Sequence, residues 1–158
     1  MTASAAATSI QMAIDVEVPV ERAFSVFTEQ FDQIKPREHN MLDVPIEETV
    51  FERKVGGSVY DRGTDGSVCR WARVLAFDPP HRFVISWDIS PQWQLEELLD
   101  HTSEVEVTFT EAGPGRTHVE LVHRNLDRHG EGWQSFTAAL EGPGGWTLYL
   151  ERLAALLA

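Results

Sequence analysis

The C-terminal run from 130 to 158 contains two helical stripes, and a Gly-Pro-Gly-Gly break at 142–145 separates them. Each stripe has its members at positions i, i+3, i+4 and i+7, which places them on one face of a helix. An unbroken helix would turn the second stripe away from the first by about 220°. We therefore expect the break to reset the phase and to give two helical pieces that share one apolar face. The stripes are Trp133, Phe136, Thr137 and Leu140, then Trp146, Tyr149, Leu150 and Leu153.

Length and charge limit the remaining possibilities. The chain has 158 residues and 42% hydrophobic side chains, which is typical of one globular domain. Its 25 acidic and 13 basic side chains give a net charge of −12. Nucleic acids and anionic membranes supply no cations to pair with such a surface, so we predict neither as a partner.

The single cysteine and the N-terminus bear on location and domain organisation. Cys69 has no second cysteine to form a disulfide with, and a reducing, cytoplasmic compartment is the simplest interpretation. Residues 1–9 lack the basic and apolar regions of a secretory signal, and no apolar run reaches the length of a membrane span. We predict a flexible leader at 1–9 and a single domain at 10–158.

Alternating apolar residues predict strands before the terminal helices. A helical stripe from Val20 to Phe31 follows the first strand and Pro19, which is suited to a first helical position. Short turns join the later strands, so they should be antiparallel neighbours in an α+β fold. Glycines at 56, 57, 63 and 66 are compatible with a strongly curved sheet, which would leave a space beneath the terminal helices. The predicted strands are 10–18, 45–55, 58–63, 67–77, 82–89, 102–110 and 117–124.

Several motifs resemble one superfamily when they are taken in order. VPVERAF at 18–24 resembles the opening of the SRPBCC or START-like helix-grip superfamily, which includes START domains, polyketide cyclases and the birch pollen allergen. Relatives commonly carry an aromatic pair before the next proline, whereas this chain has Ile34-Lys35-Pro36. Further segments are similar to the branch named for homology to the heat-shock-protein ATPase activator (AHSA-type): GGSVY at 56–60, DG at 65–66, WARVL at 71–75, DPPHR at 78–82, SW at 86–87, His123, GEGW at 130–133 and GGW at 144–146.

The resemblance covers 10–157 and implies a helix-grip fold: a curved antiparallel sheet of six or seven strands around a long C-terminal helix. Short helices would follow the first strand, and a cavity would lie between the sheet and the terminal helix. The resemblance implies no single reaction, because members include binding proteins, cyclases, a sacrificial antibiotic-resistance protein and cochaperone domains.

The candidate site consists of aromatic and polar residues that could face this cavity. Trp71 and Arg73 are two positions apart on one strand, so alternation predicts that they share a face. An inward Arg73 would need an acid such as Asp61 or Glu106. Trp93, in the segment 91–101, could belong to a lid or to a surface loop. The predicted ligand-binding residues are Tyr60, Trp71, Arg73, Trp87, Val107, His123, Trp133, Phe136 and Leu140.

His123 is the histidine with the most specific placement. It continues the apolar side of its strand after Val119 and Leu121, so it should point toward the terminal helix. It could act as a hydrogen-bond donor or base in the cavity. The alternative is a core histidine that bonds to backbone or to a carboxylate such as Glu52.

Known catalytic and cofactor motifs do not occur in the sequence. It has no Gly-rich phosphate loop, HExxH, CxxC or Gly-x-Ser-x-Gly motif, and its six histidines do not show metal-ligand spacing. We therefore predict no metal and no cofactor. We expect non-catalytic binding of a hydrophobic or aromatic small molecule. Two alternatives stay open: a cyclase- or hydrolase-like enzyme using His123 with a nearby acid, and a cochaperone-type interaction. Under any of these three functions, the protein could also have a chaperone partner or form a homodimer.

Overall fold

The structure is a computed structural model that describes residues 8–158. Most of the leader predicted at 1–9 lies outside these described residues. Three 3₁₀ turns, Phe31–Gln33, Leu99–His101 and Leu126–His129, lie between the longer elements. These elements are β1 (Ile10–Val16), α1 (Val20–Glu29), β2 (Ile46–Phe51), β3 (Ser58–Gly63), β4 (Val68–Asp78), β5 (Arg82–Trp87), β6 (Ser103–Gly113), β7 (Arg116–Arg124), α2 (Trp133–Glu141) and α3 (Trp146–Leu156).

The strands form one antiparallel sheet in the order β1-β7-β6-β5-β4-β3-β2. Strands β2 to β7 form an antiparallel meander, in which short connections join every consecutive pair except β5 and β6, and the longer segment 88–102 joins those two. Strand β1 pairs with the free edge of β7, from Ile10 opposite His123 to Val16 opposite Thr117. The sheet curls into a half-barrel around the C-terminal helices. The α+β helix-grip fold expected from the sequence is thereby confirmed.

The break between the terminal helices lies where the sequence predicts it. Helix α2 ends at Glu141 and α3 begins at Trp146, and both stripes have buried members on the side of the sheet. Gly145 packs directly on the preceding helix, since a Cβ atom there would lie 2.0 Å from the carbonyl oxygen of Leu140. The two-piece terminal helix is confirmed, and glycine at 145 is what allows its two pieces to pack this closely.

Helix α1 is shorter than the stripe of apolar residues suggests. It ends at Glu29, and the stripe continues through the 3₁₀ turn Phe31–Gln33. The sequence predicts Pro19 at the first helical position. In the structure Pro19 has an extended conformation and is the N-cap, one residue before the helix begins. The tighter turn still buries Phe31 against the sheet.

A phenylalanine cluster fills the space between α1 and the sheet. Phe24 packs edge-on against Phe109 at 5.2 Å between ring centroids, and Phe27 packs against Phe83 at 5.3 Å. Edge-to-face geometry is the favoured arrangement for such rings. Phe31 adjoins this cluster and lies 6.1 Å from the ring of Trp71, where the phenylalanines give way to tryptophans. The phenylalanine cluster therefore closes one part of the interior and leaves the rest to the candidate site.

A β-bulge in β4 contradicts the prediction that Trp71 and Arg73 share a face. Val59 pairs with Ala72 and Tyr60 pairs with Arg70, so Trp71 has no residue opposite it. This extra residue lets Trp71 and Ala72 both turn inward and puts Arg73 on the other side. The guanidinium of Arg73 donates to both carboxylate oxygens of Asp88 at 3.0 Å, rather than to Asp61 or Glu106.

Candidate functional site

A cavity of about 390 Å³ lies between the sheet and the C-terminal helices. Its wall is aromatic, because β4, β5 and α3 contribute large rings to it. One end is polar, where the loop after α1 meets β3. The volume falls within the range of about 300–1,000 Å³ that is usual for small-molecule sites. The aromatic wall consists of Trp71, Trp87, Trp146 and Tyr149, and the polar end consists of Lys35, His39 and Asp61.

The rings of the aromatic wall pack against one another in sequence. The centroids of Trp71 and Trp87 are 5.3 Å apart, those of Trp87 and Trp146 are 5.2 Å apart, and those of Trp146 and Tyr149 are 4.8 Å apart. Tilted or perpendicular pairs of this kind hold each ring in place. The indole nitrogens of Trp71 and Trp87 are buried and have no hydrogen-bond partner among residues 8–158. The wall is therefore a firmly packed apolar surface that contains two indole N–H donors without an acceptor in this part of the chain.

The polar end is organised by a buried ion pair. Lys35 Nζ lies 2.9 Å from Asp61 Oδ2, and the two side chains are 3% and 1% exposed. Asp61 Oδ1 accepts a hydrogen bond of 2.8 Å from Thr49 Oγ1, and Lys35 also donates to the backbone carbonyl of His39. Burial lowers the pKa of Lys35, while Asp61 acts in the opposite direction. The pair places a compensated charge in the lining of the cavity.

Tyr149 connects the aromatic wall to the polar end. Its hydroxyl lies 3.2 Å from His39 Nδ1. Burial raises the pKa of Tyr149, so the phenol stays protonated and donates to the histidine. Burial, followed by the nearby charge of Lys35, lowers the pKa of His39. A neutral imidazole with Nδ1 as acceptor is consistent with both effects, and it keeps its other nitrogen as a donor.

His123 lies behind the aromatic wall and does not line the cavity. Trp146 Nε1 donates to His123 Nδ1 at 3.0 Å, so His123 does point toward the C-terminal helix. Ser103 Oγ lies 2.7 Å from His123 Nε2 and 2.6 Å from His129 Nε2. Complete burial, with a smaller effect of His129, lowers the pKa of His123 to about 3. The neutral imidazole therefore fixes the orientation of Trp146 by accepting its N–H.

Neither ring nitrogen of His123 bonds to a carboxylate or to backbone among the described residues. Glu52 accepts hydrogen bonds from the backbone N–H and the hydroxyl of Ser58 at 2.8 and 3.0 Å. The partners of His123 are instead the hydroxyl of Ser103 and the indole of Trp146. The suggestion of Glu52 is wrong because this glutamate closes the turn between β2 and β3.

The structure brings three of the nine predicted ligand-binding residues to the cavity: Trp71, Trp87 and Leu140. The other six lie elsewhere. Tyr60 lies 5.1 Å from the guanidinium of Arg70, and Arg73 pairs with Asp88. Val107 is in the core, and Trp133 packs at its edge. Phe136 packs against Trp93 and His129, and His123 lies behind Trp146.

Sequence reasoning did not select the polar end or the second half of the aromatic wall. Trp146 and Tyr149 are members of the second helical stripe, which predicts burial but not a cavity. Lys35 stands at the point where the sequence departs from its relatives, and this departure is the one signal that could have found it. Trp93 lines the cavity and is 48% exposed, as either a lid or a surface loop would allow.

Residues 8–158 contain no group of three or more side chains arranged to hold a metal ion. No helix formed by these residues has both the length and the apolar character needed to cross a bilayer.

Several solved structures resemble the chain over nearly its whole length. An anthrahydroquino-gamma-pyrone synthase, Txn09, complexed with SUM, is 37% identical, with a TM-score of 0.65 and coverage of 94% of this chain and 96% of that chain. The self-sacrificing resistance protein CalC from Micromonospora echinospora is 23% identical, with a TM-score of 0.65 and coverage of 94% and 93%. An Hsp90 activator from Plasmodium falciparum is 21% identical, with a TM-score of 0.60 and coverage of 95% and 96%. The last two likenesses show the fold alone.

No curated protein matches the chain. A family model described as "Activator of Hsp90 ATPase homolog 1-like protein" matches residues 17–158, which includes every element from α1 to α3. The chain therefore belongs to the AHSA1 family of Activator of Hsp90 ATPase homolog 1-like proteins.

Proposed function

We propose that the protein binds a hydrophobic or aromatic small molecule in the cavity between the sheet and the C-terminal helices. The observation that carries this proposal is the aromatic wall around a volume of about 390 Å³. A planar ligand would bury its faces against the rings of Trp87, Trp146 and Tyr149. Burial of apolar surface contributes about 25 cal/mol per Å², so a fused-ring ligand would gain several kcal/mol before the costs of association.

The relative at 37% identity supports a polycyclic aromatic ligand. That protein is named as an anthrahydroquino-gamma-pyrone synthase, and its structure is a complex with SUM. That protein and this chain match along 94% of this chain and 96% of that chain. A fused three-ring system is the ligand class that we carry over to this protein.

Titration with fluorene, an apolar three-ring hydrocarbon, tests the proposal. We expect saturable quenching of tryptophan fluorescence, because three tryptophans belong to the aromatic wall. Ala139→Phe should abolish the quenching, since Ala139 lines the cavity and a larger side chain would occupy it. Ala138→Phe is the matched control, because Ala138 is an exposed neighbour on the same helix that does not line the cavity. Absence of saturable binding to the unmodified protein would overturn the proposal.

A second candidate function is catalysis of ring closure. It is favoured by the 37% identity to a gamma-pyrone synthase and by the Lys35–Asp61 pair, which could donate and accept protons in the cavity. His123 fits the role of base less well, because it is fully buried and its pKa is about 3. Asp61, the carboxylate of the pair that lines the cavity, is therefore the candidate base to test.

The test uses 1-(2-hydroxyphenyl)-1,3-butanedione, which closes to a gamma-pyrone. The phenol oxygen bonds to the distal carbonyl carbon, and that carbonyl oxygen leaves as water, so the step needs no oxidant. We expect the protein to accelerate the closure and Asp61→Asn to remove the acceleration, with circular dichroism to check folding. A rate equal to that of buffer would leave binding as the function.

A further inference from the structure

We propose that Lys35 is the anchor for a neutral carbonyl oxygen, so that the cavity selects aromatic ketones and quinones over aromatic hydrocarbons and aromatic carboxylates. This inference rests on the proposed function, because it names the chemical class of the ligand for the same cavity. Three features of the cavity support it: the two hydrogen bonds that Lys35 donates, its third N–H without an acceptor among residues 8–158, and the charges in the lining.

Lys35 has one donor left for a ligand. Its ammonium group carries three N–H bonds. One is directed to Asp61 Oδ2 at 2.9 Å and one to the backbone carbonyl of His39. Within residues 8–158 the third has no protein acceptor. Nζ lies 5.7 Å from the ring centroid of Trp71, which belongs to the aromatic wall. Lys35 itself lines the cavity, so an acceptor atom of a bound ligand can satisfy the third N–H.

The charges around this donor favour a neutral acceptor. Asp61 already compensates the ammonium of Lys35, and both oxygens of Asp61 are occupied, one by Lys35 and one by Thr49. Among the described residues that line the cavity, the charged ones are Lys35, Asp61 and Glu38, which are one cation and two anions. A carboxylate or phosphate on the ligand would add a further uncompensated negative charge to a mostly apolar space. A ketone or quinone oxygen accepts the hydrogen bond without adding charge.

The aromatic wall determines where on the ligand this oxygen has to be. Lys35 Nζ lies over the ring of Trp71, which packs against Trp87, and Trp87 packs in turn against Trp146. Because the ammonium lies over the face of Trp71, a fused-ring ligand that stacks on this face beside it would direct an edge toward the ammonium. A carbonyl in the plane of the rings projects from such an edge, and its lone pairs lie in that plane. The ligand class is therefore a planar aromatic molecule with an in-plane carbonyl.

Three probes with one ring skeleton test this selection: fluorene, 9-fluorenone and fluorene-9-carboxylate. We expect 9-fluorenone to bind the unmodified protein about tenfold or more tightly than fluorene, as a hydrogen bond from a charged donor provides. The carboxylate should bind most weakly. Lys35→Met should reduce the ratio of the affinities for 9-fluorenone and fluorene to about one. Lys54→Met is the matched control, because the chain's other lysine is exposed and does not line the cavity.

A second variant and a second measurement guard against loss of folding. Lys35→Met leaves Asp61 without its cation, so the double variant K35M/D61N removes both charges together. In an infrared difference spectrum, the carbonyl stretch of bound 9-fluorenone should lie at lower frequency in the unmodified protein than in the double variant. Equal binding of fluorene and 9-fluorenone by the unmodified protein would overturn this inference alone. The same conclusion follows if the ketone preference persists in both variants. Failure of all three probes to bind would overturn the proposed function and this inference with it.

Discussion

Lys35 and Asp61 form an ion pair of 2.9 Å across 26 positions of the chain, with both side chains almost fully removed from solvent. The pair joins the loop after α1 to β3, so it links the helical layer to the sheet at the lining of the cavity. Buried pairs of this kind stabilise little as pairs, yet the loss of one partner leaves an uncompensated buried charge. The fold is therefore sensitive to single substitutions in this pair and tolerant of their joint removal.

Asp61→Asn should lower the free energy of unfolding by about 3–5 kcal/mol, because Lys35 then lacks its counter-charge. Urea denaturation at pH 7 measures this change. Asp78→Asn is the control, since Asp78 pairs with Arg82 at 2.6 Å on the surface. Exposed pairs contribute about 0–1 kcal/mol, so the control should remain close to the unmodified protein. Equal losses in the two variants would contradict the importance of burial at Asp61.

Stability should fall with decreasing pH because of the two buried histidines. Burial lowers the pKa of His123 to about 3 and that of His129 to about 4, from an ordinary value of 6.5. The unfolded chain therefore binds protons at these sites before the folded protein does. Their contribution is complete above pH 6.5 and is lost as pH falls from 6.5 toward 3, by up to about 1.4 kcal/mol per pH unit for each histidine.

His123→Gln isolates the part that belongs to one of these histidines. Carboxylates also titrate in this range, so the informative quantity is the difference between the variant and the unmodified protein. Urea denaturation at pH 7, 5.5 and 4 gives the slope of the unfolding free energy against pH. This slope should be smaller in the variant, by an amount that corresponds to about one proton taken up on unfolding. Identical slopes would show that His123 does not resist protonation in the folded state.

Ser103→Ala should destabilise the protein by about 1–3 kcal/mol or more, because it removes the hydroxyl that joins His123 Nε2 to His129 Nε2. Both ring nitrogens would then be buried without a partner. Thermal unfolding measures the loss. Ser67→Ala is the matched control, since its hydroxyl bonds to Asp65 in an exposed turn. A Ser103 variant as stable as this control would contradict the hydrogen-bonded arrangement behind Trp146.

Gly145→Ala should destabilise the packing of the two terminal helices. Its Cβ would lie 2.0 Å from a backbone oxygen of Leu140, which cannot move without shifting α2. Gly144→Ala is the control next to it, because a Cβ at 144 meets nothing within 4 Å. We expect a loss of about 1–3 kcal/mol at 145 and a change of less than about 1 kcal/mol at 144. Thermal unfolding measures both variants, and equal melting temperatures would contradict the close packing of Gly145 on Leu140.

Regular patterns in the sequence predict most of this fold. Period-3.6 and period-2 spacing are local properties, so the two-piece terminal helix and the meander follow from them directly. The β-bulge at Trp71 cannot be predicted from this spacing. It depends on how β4 pairs with β3, and the alternation of apolar and polar residues within β4 does not indicate it. Alternation therefore predicts Arg73 on the same face as Trp71, whereas the bulge places it on the opposite face.

The candidate site is harder to predict because its parts come from distant segments. The aromatic character of the site follows from the tryptophans, and Trp71 and Trp87 were selected for that reason. Its polar end joins Lys35 to Asp61, and nothing in either local sequence indicates that the two meet. His123 illustrates the same limit, since its direction follows from alternation whereas its partners Ser103 and Trp146 do not.

The phenylalanine cluster and the aromatic wall use separate sets of rings within one interior. Phe24, Phe27 and Phe109 hold α1 on the sheet without touching the cavity. Ala139 lines the cavity but is exposed and lies outside the buried core, so we expect substitutions there to reshape the space for a ligand while α1 keeps its contacts with the sheet. A protein arranged in this way can acquire a new specificity through few mutations, provided that they fall at such rim positions and spare the buried rings that serve the fold as well.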